Sequence, residues 1–188
     1  MASLRARLAS RNPHKLDELR AALPDWDLQL LDADDYPPET GATYADNAWQ
    51  KARHGRASAP ADEWVLGEDS GIEVKALDGR PGVESARWAD DGVAALLRAL
   101  EGEADRRARY VCDLVALSPD GEEIAVRGTL EGAIARERRG SEGFGYDPIF
   151  VPEVEERTVA ELGDVWKQRN SHRARAAALL AARLRPNP

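Results

Sequence analysis

The chain has 188 residues, enough to bury a core without disulfide or metal staples. Its formal net charge of −8 argues against a nucleic-acid backbone as partner, since that requires a broad basic face, but leaves room for a small anion in a local pocket. No apolar run approaches the roughly eighteen residues of a membrane span, Met1-Ala2-Ser3-Leu4-Arg5 has no secretory core, and the lone Cys112 cannot form an internal disulfide, so one cytoplasmic domain over residues 1–188 is expected.

Leu4, Ala6 and Leu8 alternate with Arg5 and Arg7, the pattern of a first strand with one buried face. Asn12 and Pro13 then form a cap and first position for a helix whose stripe is Leu16, Leu19 and Leu23 and whose stop is Pro24. Trp26 to Leu31 reads as a second strand. A polar, Pro-rich loop follows from Asp32 to Ala42. Thr43, with Asp46 three residues on, opens a helix reaching about Arg56. Trp64 to Asp69 is expected as a short apolar strand ending in two acids, and Ile72 to Ala76 as a separate alternating strand.

Asp78 to Gly82 is a turn, and Gly92 to Leu100 a helix. Ala108 to Leu117 and Glu122 to about Ala135 flank Ser118-Pro119-Asp120-Gly121, the chemistry of a hairpin turn. Arg136 to Glu142 is a charged segment expected to move. Tyr146 to Val151 reads as a late strand and Val165 to Leu184 as one long Ala/Arg-rich helix. The order implies an α/β protein with a mixed sheet. Cys112 lies in a strand-like run and is expected to be a buried small hydrophobe.

Five stretches carry chemistry. Ser10-Arg11-Asn12-Pro13-His14-Lys15 joins a strand to a helix start, where free N–H groups can cradle phosphate; a well-capped helix would look the same. Glu39-Thr40-Gly41 precedes the helix that bears Asp46, Asn47 and, one turn on from Asn47, Lys51. Asp46 reads as a capping residue. Gly67-Glu68-Asp69-Ser70-Gly71 sets adjacent acids against an otherwise apolar strand, which is costly without compensation. Asp69 with Glu39 offers hard oxygen ligands for Mg²⁺; the alternative is a polar turn. Gly143-Phe144-Gly145-Tyr146-Asp147-Pro148 lets backbone and aromatic faces approach a planar ligand, or makes a turn with core aromatics. Lys167 with Ser171-His172-Arg173 offers donors to phosphate or to a carbonyl-bearing base, or an exposed basic helix face. His14, His54 and His172 match no zinc spacing. Only four of the 26 basic residues are Lys, and three of these, Lys15, Lys51 and Lys167, fall inside these stretches; either a compact ammonium is wanted there or lysine is retained by chance on the surface.

Together, in this order over nearly the whole chain, the five stretches resemble the inosine triphosphate pyrophosphatase family. Asp46 stands where that family usually has Glu, and Glu68 where it commonly has Asp. The resemblance implies a two-lobed α/β fold around an elongated mixed sheet flanked by helices, a substrate cleft between the lobes, and a homodimer. It implies Mg²⁺-dependent hydrolysis of non-standard purine nucleoside triphosphates (ITP, dITP, XTP) to monophosphate and pyrophosphate. Glu39 and Asp69 would be metal ligands, with Asp69 also the proton acceptor. Lys15, Lys51 and Lys167 would neutralise transition-state charge. Ser10 to Lys15 (Ser10, Arg11, Asn12, Pro13, His14, Lys15), Lys51, Ser70, Phe144, Gly145, Tyr146, Asp147, Lys167, His172 and Arg173 would line the nucleotide. Two rivals are weaker. A pyrimidine triphosphate hydrolase of related fold lacks the Ser171-His172-Arg173 closure, and a pure nucleotide sensor has little use for Glu39 and Asp69 beside phosphate.

Overall fold

The computed structural model describes residues 3–33 and 35–184. Met1 and Ala2 of the segment read for a leader, and Asp34 of the Pro-rich loop, lie outside the described residues. The chain folds into two compact units, one from Met1–Asp69, Cys112–Gly128 and Arg173–Pro188, the other from Ser70–Val111 and Thr129–His172. Among the described residues six strands form one sheet in the order β2-β1-β3-β4-β5-β6, with β1 Leu4–Leu8, β2 Trp26–Leu30, β3 Trp64–Val74, β4 Arg107–Leu117, β5 Glu123–Ile134 and β6 Phe150–Pro152. β1 runs parallel to both β2 and β3, while β6 is antiparallel to β5, so the sheet is mixed.

In the first unit, alternation along the strands divides the core into two clusters. Leu8, Leu66 and Leu114 pack with α1 (Pro13–Ala22) and α6 (His172–Leu184), whereas Ala9, Val65 and Val115 pack with α2 (Tyr44–Ser58). A strand buried on both faces reads as a near-continuous apolar run, as Trp64 to Leu66 does. The second unit has one main cluster, in which Ile72, Val74, Tyr110, Leu130 and Phe150 meet Val93 and Leu96 of α3 (Gly92–Ala99).

The caps form as the sequence dictates. The Asn12 side chain accepts from the N–H groups of His14 and Lys15, and Thr43 and Asp46 make a reciprocal capping box. Three expectations are corrected. β3 does not end at the acids but runs on through Ser70 and Gly71, so Glu68 and Asp69 lie mid-strand. The tertiary partners described below satisfy the acids and override the local turn signal. The helix expected from Val165 to Leu184 is broken at Ser171, extended at φ −63, ψ 160, into α5 (Asp164–Asn170) and α6, and a short α4 (Val159–Leu162) precedes both. The segment around Tyr146 is a helical turn over Asp147–Ile149 before the short β6. The charged stretch 136–142 is tethered, with Arg139 N–H on the Pro148 carbonyl and Glu142 Oε2 accepting from Asp164 N–H. No helix among the described residues is long and apolar enough to cross a membrane.

Candidate active site

The first unit gathers charged side chains on β3. Helix α2 can lie directly on that strand because residue 67 is glycine: a Cβ there would stand 2.1 Å from the Ala48 carbonyl oxygen. This close approach aims Asn47 and Lys51 at the acids one and two residues further along the strand. Lys51 Nζ lies 2.9 Å from Asp69 Oδ1, 3.1 Å from the Glu68 carbonyl oxygen and 2.5 Å from Glu39 Oε1. Asn47 Nδ2 donates to Asp69 Oδ2 at 3.0 Å, and its own Oδ1 accepts from Gly41 N–H at 2.8 Å, which ties the Glu39 loop to the helix.

Glu68, fully buried, faces the other side of the strand. Lys15 Nζ is 2.7 Å from its Oε2, and Arg173 Nε donates to its Oε1 at 2.9 Å. Arg173 Nη1 donates to Glu18 Oε2 at 2.7 Å. Burial alone would raise the Glu68 carboxyl, but Lys15, Arg173 and Lys51 outweigh it and hold it well below the usual carboxylate range. Asp69 goes the other way: burial pushes it up, and Lys51 and Asn47 oppose this without cancelling it. The Lys51 ammonium is also raised, burial being outweighed by Asp69, Glu68 and Glu39. Two adjacent carboxylates are thus pushed in opposite directions by their neighbours.

Of the remaining residues expected at the start of the site, Asn12 caps α1, Pro13 is its first residue, and His14 is exposed. Ser10 Oγ accepts from Asn12 N–H, and the exposed Arg11 guanidinium lies 5.0 Å from the ring centre of Tyr36. Cys112 is buried, with its Sγ 3.5 Å from Glu68 Oε1, and burial pushes its thiol well up, as befits a structural cysteine.

The second unit holds the aromatic group. Asp147 Oδ2 takes the Lys167 ammonium at 2.5 Å and the Phe144 N–H at 2.8 Å, and Oδ1 takes the Tyr110 hydroxyl at 3.1 Å. Lys167 Nζ also sits 3.9 Å from the Phe144 ring centre, over its face. Gly143, at φ +77, is required here, since a Cβ would stand 2.2 Å from Asp147 Oδ2. His172 stacks on Tyr110 at 4.7 Å with the rings 13° apart. The Tyr146 hydroxyl donates to the Ser85 carbonyl oxygen, Gly145 has φ +63, and Ser70 is half-buried in β3.

Three residues of these arrangements escape the sequence reading: Glu18, Asn47 as the partner of Asp69, and Tyr110. Glu18 carried a signal, since it lies beside Leu19 and near Leu16 on the buried stripe of α1. Tyr110 carried only strand alternation.

Fold and chemistry together define an open-sheet α/β protein whose charged groups are built onto the sheet and the helix that crosses it. A sequence model of the Ham1 family matches residues 6–183, and the chain belongs to that family. It is 46% identical over 193 residues to the dITP/XTP pyrophosphatase of Symbiobacterium thermophilum, covering 98% of this chain and 96% of that one. To the enzyme of the same name from Exiguobacterium sibiricum it is 44% identical over 190 residues, covering 94% and 95%. Among solved structures it resembles the Staphylococcus aureus Ham1 protein, with TM-score 0.84 at 36% identity over 96% of this chain and 97% of that one. It also resembles the nucleoside-triphosphatase, or dITP/XTP pyrophosphatase, of Mycobacterium abscessus, with TM-score 0.74 at 41% identity over 97% and 100%.

Proposed function

We propose that the chain hydrolyses ITP, dITP and XTP to the monophosphate and pyrophosphate with Mg²⁺, and so removes non-standard purines from the nucleotide pool. Its class, a nucleoside triphosphate pyrophosphatase acting on a phosphoric anhydride bond, follows from the family and from the named relatives.

The observation that carries the finer reading is the charge balance of the first unit's cluster. Among the ion pairs of the described residues, Lys15, Lys51 and Arg173 face Glu18, Glu39, Glu68 and Asp69, three cations against four carboxylates. A cluster built for a bare anion would have the opposite sign. A divalent cation turns the excess positive and so admits a triphosphate. Glu39 and Asp69 already converge on one cationic group, the Lys51 ammonium, and two carboxylate donors suit Mg²⁺, which completes its shell with substrate oxygens and water. Glu39 and Asp69 would hold the ion, which supplies Lewis-acid stabilisation of phosphate oxygens.

The protein's own groups then divide the work. Asp69, whose orientation Asn47 fixes, would take the proton of the water attacking the α-phosphorus. Lys15 and Lys51, whose charges are balanced by Glu68 and Asp69, would turn toward phosphate charge as it develops, with Lys167 as a third ammonium. Ser10 to Lys15 would bind the phosphates. Ser70, Phe144, Gly145, Tyr146, Asp147, His172 and Arg173 would line the rest of the nucleotide. We further propose, from the family resemblance, a homodimer in the cytoplasm and a single functional domain over residues 1–188. Pyrophosphate release from dITP, ITP, XTP, ATP and GTP, with Mg²⁺ and after chelation, tests the reading. Release confined to the first three and abolished by chelation is expected, and turnover indifferent to chelation overturns the metal assignment.

A further inference from the structure

Tyr110 belongs to none of the motifs that point to nucleotide, yet it touches two of them in the second unit. It sits on the buried face of β4, where Ala108 and Tyr110 point into the core and Arg107 and Arg109 do not. Its ring lies parallel to that of His172, 13° off, and against Phe150 at 4.4 Å. Its hydroxyl donates to Asp147 Oδ1. The other oxygen of Asp147 holds both the Phe144 N–H and the Lys167 ammonium, and that ammonium covers one face of the Phe144 ring.

We propose that Tyr110 is a positioning residue for nucleoside recognition: its ring sets the plane of His172, and its hydroxyl fixes the carboxylate that places Phe144. The inference rests on the proposed function, which puts a purine against these groups. Four physical points support it. Tyr110, Asp147, Lys167 and His172 are all buried, so their hydrogen bonds and stacking are not exchanged for water. A strand is a stiffer support for a binding group than the loop that bears Phe144. Asp147, with Gly143 packed against its Oδ2, has little room to turn while both its oxygens are engaged. And with Lys167 over one face of Phe144, a purine stacks on the opposite face, so the ring's orientation decides whether that face is presented. Tyr110 touches no reacting atom in this scheme and acts only through His172 and Asp147.

The test uses the full chain, its Tyr110→Phe and Tyr110→Leu variants, and two probes: IMP, which carries the base, and tripolyphosphate, which does not. Calorimetric titration is expected to show IMP affinity roughly fivefold lower in Tyr110→Phe, which keeps the stack and loses the charge-assisted hydrogen bond, and more than about tenfold lower in Tyr110→Leu. Tripolyphosphate affinity stays within about twofold in both, since the Lys167 ammonium, on a flexible stem, stays paired with Asp147 Oδ2 whether or not Oδ1 accepts from residue 110, and the kinetic loss for ITP falls on KM rather than kcat. Unchanged IMP affinity overturns the inference. So does parallel weakening toward both probes, which marks general loosening, and so does a parent chain that does not bind IMP. Should Tyr110→Leu fail to fold, Tyr110→Phe decides alone. If the IMP pattern holds but the parent hydrolyses none of dITP, ITP and XTP, the proposed function falls and the positioning role stands.

Discussion

The absent side chain of Gly67 and the carbonyl of Ala48 define where α2 meets β3. A Cβ at residue 67 would stand 2.1 Å from that oxygen and 2.6 Å from the Ala52 nitrogen, so strand and helix backbones are in direct contact. One turn of that helix delivers Asn47 and Lys51 to Asp69. Gly67→Ala must push the helix outward. We expect a loss of about 1–3 kcal/mol in stability, the range of core overpacking, together with a fall in kcat/KM out of proportion to the folded fraction. Denaturant unfolding and kinetics on the same preparation check both. A variant with parental stability would show that the helix yields without cost.

Asp69→Asn should leave the fold intact and abolish turnover, with kcat down roughly a thousandfold, within the range seen for loss of a general base. Stability should fall by about 1–3 kcal/mol, the range for a buried group left unpaired, because Lys51 Nζ and Asn47 Nδ2 each donate to one oxygen of Asp69 and an Asn meets one of them with its own N–H groups. Thermal unfolding and pyrophosphate release are the measurements, and an Asn variant that still turns over with Mg²⁺ sinks the role of Asp69.

How much of this was legible follows from the range of each interaction. Asn12-Pro13 and Thr43 with Asp46 act within a turn of their own helix, so their capping could be read directly. Thr158 and Glu161 make the same reciprocal box at α4, a local signal that the reading of one long helix passed over. The continuity of β3 could not be read that way. Glu68-Asp69-Ser70-Gly71 has turn composition, and what holds it extended comes from Lys15, Lys51 and Arg173, distant in sequence. The motif residues were visible as types and order. Their partners were fainter: Glu18 showed only as an acid on the buried stripe of α1 and Tyr110 only as strand alternation, because neither an ion pair across 155 residues nor a hydrogen bond across 37 leaves a periodic trace.

Lys15→Arg and Lys75→Arg both conserve charge and separate the two explanations of the lysine pattern. Lys15 reaches the buried Glu68 with one ammonium 2.7 Å away, whereas Lys75 is exposed. A guanidinium is longer and planar and cannot occupy the place of a point donor. We expect kcat/KM to fall roughly a hundredfold for Lys15→Arg, the order of loss from a misplaced group, and to stay within about twofold for Lys75→Arg. Near-parental values for both would show that lysine at residue 15 is accidental.

The base is the remaining question, and the proposed function assigns Arg173 and Phe144 different halves of it. ITP and XTP carry a carbonyl at purine C6 where ATP carries an amino group, and a guanidinium, which only donates, can pair with the first and not the second. In this structure Arg173 Nε and Nη1 are directed at Glu68 and Glu18, which fixes its plane. Arg173→Ala therefore removes two things at once. Glu68 and Glu18 lose a donor, which lowers kcat/KM for every nucleotide, and the proposed C6 reader is lost, which would lower ITP further than ATP. The diagnostic is thus the ITP/ATP ratio and not the absolute rate. A site that pairs one polar group can reject a mispaired analogue by roughly 10⁴-fold, so the ratio has a wide range over which to narrow. Phe144→Ala should act on the other half. It removes stacking area that every purine uses equally, and it strips Lys167 of the ring beneath it, so ITP, ATP and GTP should weaken by a similar factor with the ratios preserved. Measuring kcat/KM for the three nucleotides on both variants separates the roles. If Arg173→Ala lowers all three in parallel, Arg173 serves Glu68 and Glu18 alone, and the C6 position is read by backbone N–H groups around His172.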